Sequence, residues 1–416
     1  MIIEAGLKLK QIEALWDKAQ EGLIPQSEFF AILNQGGATA LLAELIKRDV
    51  LSLSKPARSE MKFELMANQA YHTSNSLFFT SSHSTPPSVD IKRWRLSIEG
   101  DGVANPFAIN YGDLLKLPYT TVTRYLECAG NGRAFYASLL NKKAEGLQWH
   151  FGGYGIAEWS GVPLAELLKR AKIRDNAVDV MPIGLDSPPG ERPMPVAKAV
   201  EEDTLLAYIM NGKVLPLDHG FPLRTIVPGW IGAASIKWVS KILVSTQPIH
   251  VTNNTTSHVL IGPDYPPQPP AQGHVITSQV MKSACCLPWP ATLQAGHQKI
   301  VGYAWSPFGK IARVDISMDG GKTFQQATLV GPNIERAGTR WEFHFHPEPG
   351  NISIIPRATD DAGNTQYDIS EQKWNRLGYL FGAMVPHPLT IVARSGSPEE
   401  ACADYSLLFP QISGCC

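Results

Sequence analysis

Residues 125–136 read YLECAGNGRAFY, a strand that runs into a turn carrying one cysteine and one arginine. Gly130 and Gly132 permit backbone conformations and close approaches that a side chain would block. A cysteine at such a strand end, beside a cation, is biased toward the thiolate that binds soft metals. Most single cysteines are inert core residues. These residues alone therefore leave Cys128 as a metal ligand, a nucleophile or a packing residue.

The sequence around this segment has the pattern of an α+β domain. Strand-like runs alternate with short helical pieces such as VPLAELLKRA, residues 162–171. The runs are TVTRYLE, AVDVMPI, TLLAYIM, LRTIV and IKWVSKILV. We predict one large domain over residues 71–265.

A second domain is predicted over residues 271–396. The stretch IGPDYPPQPPAQG, from residue 261, is rich in Pro and Gly and has no periodic apolar face, which is typical of a linker. Beyond it follow the short alternating runs KIVGYAW, IARVDISM, TFQQATLV, RWEFHFH and ISIIPRAT, with a hairpin turn at residues 319–321. Strands at this spacing without helices predict an immunoglobulin-like β-sandwich.

The two ends of the chain have their own patterns. Apolar residues at helical spacing in 7–20 and 38–49 predict an N-terminal helical extension over residues 1–70, which could be a packing arm or a partner contact. Residues 397–416 are expected to be a C-terminal tail.

Composition restricts the function classes. The 416 residues suffice for two or three domains. Lys plus Arg total 37 against 38 for Asp plus Glu, so no single-sign field is available for nucleic acid or an anionic membrane. No stretch approaches the roughly 20 apolar residues of a membrane span, and no signal peptide is visible. Taken at face value, the chain is expected in the cytoplasm.

The six cysteines have neither zinc-site spacing nor the spacing of haem c attachment. Apart from Cys128, we expect reduced and mostly structural thiols. The sequence leaves the redox state open for Cys285, Cys286, Cys402, Cys415 and Cys416.

CAGNGR resembles the cysteine loop of the sulfite oxidase family of molybdenum enzymes, in which that cysteine ligates the metal. Further segments resemble the family in the family's order: GLQWHFGG, AEWSGVPL, GLDSPPGE, LLAYIMNGKVLPLDHGFPLRTIVPGWIGAASIKW and VDISMDGGKTFQQA. The resemblance covers about residues 71–395. It implies a sulfite-oxidase-type molybdopterin-binding domain followed by an immunoglobulin-like dimerisation domain, and hence a homodimer with an isologous interface.

The resemblance also implies a set of residues that hold the cofactor, with Cys128 as the metal ligand. The pterin and its phosphate would be held by Phe79, Thr80, Ser81, Ser82, His83, Asp186, His219, Arg224, Ser235, Ile236 and Lys237. Guanidinium and ammonium donors suit a phosphate. The alternative for DHGFPLR, residues 218–224, is a turn with exposed charges.

Four residues are implied near the substrate. Tyr208 resembles the family's active-site tyrosine, and Trp149 the tryptophan that walls the oxyanion pocket. Arg133 is a candidate anion anchor, and Arg376 lies one position from another anion-binding arginine of the family. The alternatives are a buried strand tyrosine, a packing tryptophan and a structural arginine.

One departure concerns substrate choice. Ser81 stands where sulfite oxidases carry an arginine that helps hold the oxyanion. A serine hydroxyl retains hydrogen bonding but lacks the charge. Sulfite is the first expectation, and another sulfur compound, including a sulfane-type substrate delivered by a partner, is the alternative.

The resemblance implies oxidation of sulfite to sulfate by oxygen-atom transfer at a molybdenum-molybdopterin cofactor. The first 70 residues show no haem-binding pattern, so we expect no haem in this chain and an external electron acceptor, either a c-type cytochrome or oxygen. Bacterial relatives are often exported, which makes the periplasm the alternative compartment. A non-catalytic scaffold subunit of the same fold is a third possibility, against which the joint presence of Cys128, Tyr208 and Arg133 argues.

Overall fold

The computed structural model describes residues 51–55, 58–84 and 86–393. The predicted helices at 7–20 and 38–49 and the predicted tail lie outside these residues. The described part of the predicted helical extension contains two strands and a 3-10 helix, Phe63–Asn68. No helix in the described part of the chain is long and apolar enough to span a membrane.

The first three strands form a small antiparallel sheet. They are β1 (Leu51–Lys55), β2 (Arg58–Met61) and β3 (Thr80–Ser81). Arg58 pairs with Ser81 across this sheet. The pairing brings a cation from the N-terminal segment beside the 79–83 loop.

Two five-stranded sheets form the body of the first domain. Their strands are β4 (Arg95–Glu99), β5 (Phe107–Asn110), β6 (Thr120–Glu127), β7 (Tyr154–Pro163), β8 (Asp179–Gly184), β9 (Met194–Pro195), β10 (Leu205–Met210), β11 (Lys213–Val214), β12 (Arg224–Ile226) and β13 (Val239–Ser245). One sheet has the order β11-β10-β7-β6 with β12 beside β10, and the other β5-β4-β13-β8-β9. The strands predicted in this region are confirmed.

Short helices connect the strands. In the described part of the chain the α-helices are α1 (Tyr111–Leu114), α2 (Ala134–Leu140), α3 (Leu164–Arg170), α4 (Val196–Ala199) and α5 (Thr252–Thr255). Further 3-10 helices are Leu217–His219 and Gly232–Ala234, and in the second domain Ile369–Glu371. The predicted helix at 162–171 corresponds to α3, which buries Leu164, Leu167 and Leu168 at i, i+3 and i+4. These leucines pack on strand residues such as Ile98 and Ile242 in one core.

The second domain is a β-sandwich. A short pair, β14 (Val259–Leu260) and β15 (His274–Val275), flanks the Pro-rich stretch. The sandwich strands are β16 (Lys282–Cys285), β17 (Ala291–Gln294), β18 (Gln298–Trp305), β19 (Ile311–Ser317), β20 (Gln325–Gln326), β21 (Thr328–Ile334), β22 (Gly338–Phe345), β23 (Gly350–Asp360) and β24 (His387–Val392). One sheet has the order β16-β18-β22-β21 and the other β17-β24-β23-β19-β20. Side chains of both sheets form a single core, so the predicted sandwich is confirmed.

The two domains share a hydrophobic core. The rings of Tyr154 on β7 and Trp305 on β18 stack with centroids 4.0 Å apart. Tyr154 donates through its hydroxyl to the carbonyl of Ala337 at 3.0 Å, and Tyr71 donates to that of Gly338 at 2.6 Å. Because Tyr154 is paired with Glu127 at the end of β6, these contacts attach the region beside Cys128 to the second domain.

Candidate functional site

A cavity opens beside the end of β6, with about 850 Å³ of space that is partly open to solvent. Its wall includes the proposed metal ligand and every residue that the sequence predicted to hold the cofactor. These are Phe79, Thr80, Ser81, Ser82, His83, Cys128, Asp186, His219, Arg224, Ser235, Ile236 and Lys237. The packing thus brings together side chains from distant parts of the sequence.

Cys128 lies at the C-terminal end of β6 and is partly exposed. Its backbone N–H donates to Gly153 at 2.9 Å, and its carbonyl accepts from Asn131 at 2.9 Å, so the turn is tied to neighbouring backbone. A Cβ at Gly130 would lie 2.3 Å from Nη2 of Arg133, so a side chain at this position would displace the guanidinium. Burial raises the pKa of the Cys128 thiol, and the Arg133 charge opposes that shift. A bound metal cation would favour the thiolate.

A fully buried polar cluster, here called the Glu127 cluster, lies directly behind Cys128. Glu127 Oε1 accepts from Lys282 Nζ at 2.5 Å and from Asn131 Nδ2 at 2.9 Å, and Oε2 accepts from Trp305 Nε1 at 3.0 Å. Gln279 donates to the Glu127 carbonyl at 2.7 Å. Three of these donors, on Lys282, Trp305 and Gln279, lie C-terminal to the Pro-rich stretch. The second domain therefore holds the strand end that carries Cys128.

Cationic side chains also line the cavity. Arg224 is buried and donates to the carbonyls of His219 at 2.9 Å and Ser235 at 3.2 Å. Burial lowers the pKa of Arg224 to about 9, which the Asp218 charge partly opposes. Lys237 donates to the Asp218 carbonyl at 3.0 Å and to the Ser82 hydroxyl. A buried guanidinium and an ammonium at one cavity wall are the donors that a phosphate group requires, so the residues present fit a phosphate-bearing cofactor.

Asp186 shapes another part of the wall. Its Oδ1 accepts from the backbone N–H of Gly190 at 2.9 Å, and its Oδ2 accepts from the Ser84 hydroxyl at 2.6 Å. A Cβ at Gly184 would lie 2.5 Å from Asp186 Oδ1. The carboxylate thus closes the 186–190 turn against the loop that follows β3.

The four residues predicted near the substrate do not belong to the cavity wall. Tyr208 is buried in the core that also contains the leucines of α3, and burial raises the pKa of its hydroxyl. Trp149 is buried with its ring edge on Phe79, centroids 6.0 Å apart. Arg376 is 45% exposed and lies 3.9 Å from Glu145. Their catalytic roles stay predictions.

Arg133, the fourth of these residues, is bound to backbone carbonyls. Its Nε donates to Leu377 and its Nη1 to Leu147, both at 2.8 Å. Its guanidinium carbon lies 5.2 Å from the ring centroid of Tyr379. These contacts give Arg133 a structural role beside Cys128.

Several wall residues were not predicted from the sequence. They are Phe78, Leu126, Ala129, Gly190, Asp218, Gly232, Ala233, Trp238, Asn253 and His258. Asp218 and Trp238 both lie inside a segment already recognised by resemblance, so proximity was an available signal. Asn253 and His258 lie in the polar stretch VTNNTTSH, residues 251–258, which has no periodicity that could have pointed to the site.

Comparisons with known proteins fit this geometry. Residues 83–252 match the family model of the oxidoreductase molybdopterin binding domain, and residues 274–384 match that of the Mo-co oxidoreductase dimerisation domain. The chain is 33% identical to rat mitochondrial sulfite oxidase over 355 residues, which is 80% of this chain and 64% of the relative. It thus spans less than two thirds of that relative's length.

Two further comparisons cover more of the relative. Chicken sulfite oxidase is 34% identical over 345 residues, which is 78% of this chain and 74% of that protein. The solved structure of the sulfane dehydrogenase SoxCD from Paracoccus pantotrophus aligns with a TM-score of 0.72 and 26% identity, covering 82% of this chain and 88% of that chain.

Proposed function

Because the chain belongs to the sulfite oxidase family of molybdopterin oxidoreductases, we propose that it holds a molybdenum-pterin cofactor in this cavity and oxidises sulfite to sulfate. Cys128 is the protein's thiolate ligand to the metal in this proposal. The observation that carries it is the convergence of Cys128 and the predicted cofactor-holding residues on one cavity.

The protein's own residues bind and orient. Arg224 and Lys237 neutralise the cofactor's phosphate, and the fixed backbone around Cys128 sets the direction of the thiolate. Phe78, Phe79 and Leu126 give the wall an apolar part that limits water. When bound, the cofactor supplies the two-electron oxygen-atom transfer. Sulfite and water give sulfate, two protons and two electrons, and the electrons leave to an external acceptor, a c-type cytochrome or oxygen.

A second candidate substrate is a sulfane-type sulfur compound. Two observations favour it: the wall carries the uncharged Ser81 where a fixed cation would suit free sulfite, and the solved relative with TM-score 0.72 is described as a sulfane dehydrogenase. We further propose that the chain forms a homodimer through the second domain, which matches the dimerisation family.

The test is molybdenum content by elemental mass spectrometry, with sulfite-dependent reduction of ferricyanide on the same samples. Wild type and Cys285→Ala, the matched control in the sandwich core, should hold molybdenum near one per chain and turn over sulfite. Cys128→Ala should lose sulfite turnover and most of the metal.

Other outcomes contradict parts of the proposal. Molybdenum without sulfite turnover would favour the sulfane-type substrate. A wild-type protein that binds no molybdenum in a cell that makes the cofactor would refute the enzyme proposal and favour a scaffold subunit.

A further inference from the structure

Arg58 contacts the cavity loop from outside the segment that matches the molybdopterin-binding family, which begins at residue 83. Its Nε donates to the carbonyl of Ser82 at 3.0 Å, and its Nη2 lies 2.9 Å from Nδ1 of His83. Both partners belong to the cavity wall. The strand pairing that puts Arg58 opposite Ser81 sets this geometry.

The contact with His83 determines where the imidazole proton lies. A guanidinium has only donors, so Nδ1 of His83 must be the acceptor. A neutral imidazole that accepts through Nδ1 carries its proton on Nε2. Protonating Nδ1 would place an N–H against the guanidinium and break the hydrogen bond. The geometry therefore selects one neutral tautomer.

The charges around His83 act in the same direction. Partial desolvation of the ring at the cavity wall and the Arg58 charge lower the pKa of His83, and Lys237 adds to this, while Asp186 opposes it. The ring of His258 lies with its centroid 6.2 Å from that of His83 and is itself buried. The pKa of His83 is thus held below its usual value, so the neutral ring prevails near pH 7.

We propose that Arg58 is a positioning residue that holds His83 as its neutral Nε2–H tautomer, so that His83 offers a single N–H donor to the cofactor's phosphate. His83 is exposed while lining the cavity, which leaves Nε2 accessible to a ligand. Lys237, which contacts the neighbouring Ser82, supplies the charge for the same anion. Only the identity of that anion rests on the proposed function.

The tautomer is tested by NMR on cofactor-free protein with isotope-labelled histidine, using His83→Gln to assign the signal. In wild type we expect the Nε2–H form and a pKa below 6.5. In Arg58→Gln the pKa should rise and the tautomers should mix, and Arg58→Lys, which keeps the charge and a donor, should restore part of the wild-type behaviour. Arg95→Gln, which changes an exposed strand arginine, is the matched control. An unchanged His83 signal in a folded Arg58→Gln protein would overturn the proposal.

The ligand role is tested by calorimetric binding of inorganic phosphate to the same cofactor-free variants. At pH 8, where the His83 ring is neutral, His83→Gln should lose one hydrogen bond and bind phosphate about fivefold more weakly. Arg58→Gln, which only mixes the tautomers, should lose less than this. If Arg58 acts through His83, the double variant should bind no more weakly than His83→Gln alone, whereas multiplied losses would overturn the proposal. In wild type loaded with cofactor, phosphate binding at this site should disappear, and its persistence would refute the assignment to the cofactor's phosphate. Failure of the proposed function would show instead as missing molybdenum with the His83 tautomer intact.

Discussion

Replacing Lys282 by methionine should lower the free energy of unfolding by about 3–5 kcal/mol. The ion pair between Lys282 and Glu127 has side-chain exposures of 2% and 0%, so water cannot take the place of the lost ammonium. Of the three donors to the Glu127 carboxylate, those on Asn131 and Trp305 would remain. A buried carboxylate with an incomplete set of partners accounts for the size of the effect.

The matched control is Lys241→Met. Lys241 pairs with Glu99 at 2.8 Å, but both side chains are 42% exposed, and exposed pairs contribute about 0–1 kcal/mol. The double variant Glu127→Gln with Lys282→Met removes both charges. Its free energy of unfolding should be about 1–3 kcal/mol below that of wild type, a smaller loss than in Lys282→Met alone, because only a neutral amide is left with unmade hydrogen bonds.

The assay is urea unfolding of cofactor-free proteins at pH 7, followed by both circular dichroism and tryptophan fluorescence. Coincident transitions allow the midpoint shift to be converted to a free-energy difference. A Lys282→Met protein within about 1 kcal/mol of wild type, no worse than Lys241→Met, would refute the reasoning.

Three further predictions concern single side chains. Ser81→Arg should lower the KM for sulfite several-fold at low salt and less at high salt, because it adds to the cavity wall a positive charge that salt screens. Ser81→Gln is the neutral control. An equal change of KM in both variants would count against a charge mechanism. Burial lowers the pKa of His387 to about 4. Between about pH 6.5 and 4 the unfolded chain therefore binds a proton at this residue that the native protein does not bind. The free energy of unfolding of wild type should fall by about 3 kcal/mol as the pH falls through this range. Urea midpoints of His387→Gln should depend less on pH over that range, and parallel curves would contradict the assignment. In folded cofactor-free protein, iodoacetamide should modify the partly exposed Cys128 before the buried Cys285 and Cys286. The reaction should be faster at higher pH, because the thiolate is the reacting form. Peptide mapping that finds Cys285 modified first would contradict this.

Local patterns were sufficient to predict most strands and α3. Each of these elements has its own apolar periodicity, and the turn at Gly320 and Gly321 adopts the positive φ that glycine permits. The cavity was a different problem, since His83 and Lys237 are far apart in sequence and only tertiary packing brings them together. The family resemblance supplied that information, which periodicity could not.

The contacts of charged residues could not be predicted. Arg58 belongs to a segment whose upstream neighbours have helical spacing, and only its register opposite Ser81 reveals its contact with the cavity loop. Arg133 could have been an anion anchor or a structural residue. Its two carbonyl partners, on Leu147 and Leu377, lie 14 and 244 positions away, so no local motif identifies them.

The Glu127 cluster also limits how this chain can be divided or recombined. Truncation at the Pro-rich stretch would delete Lys282, Trp305 and Gln279 together, so the strand end next to the cysteine loop would lose the donors that fix it and would be opened to water. Exchanging the second domain with that of a homologue would carry the same penalty unless the partner chain supplied equivalent donors. The domain boundary that is easiest to see in the sequence is thus a poor site for truncation or recombination. Substitutions at Glu127 and at Lys282 should co-vary among homologues.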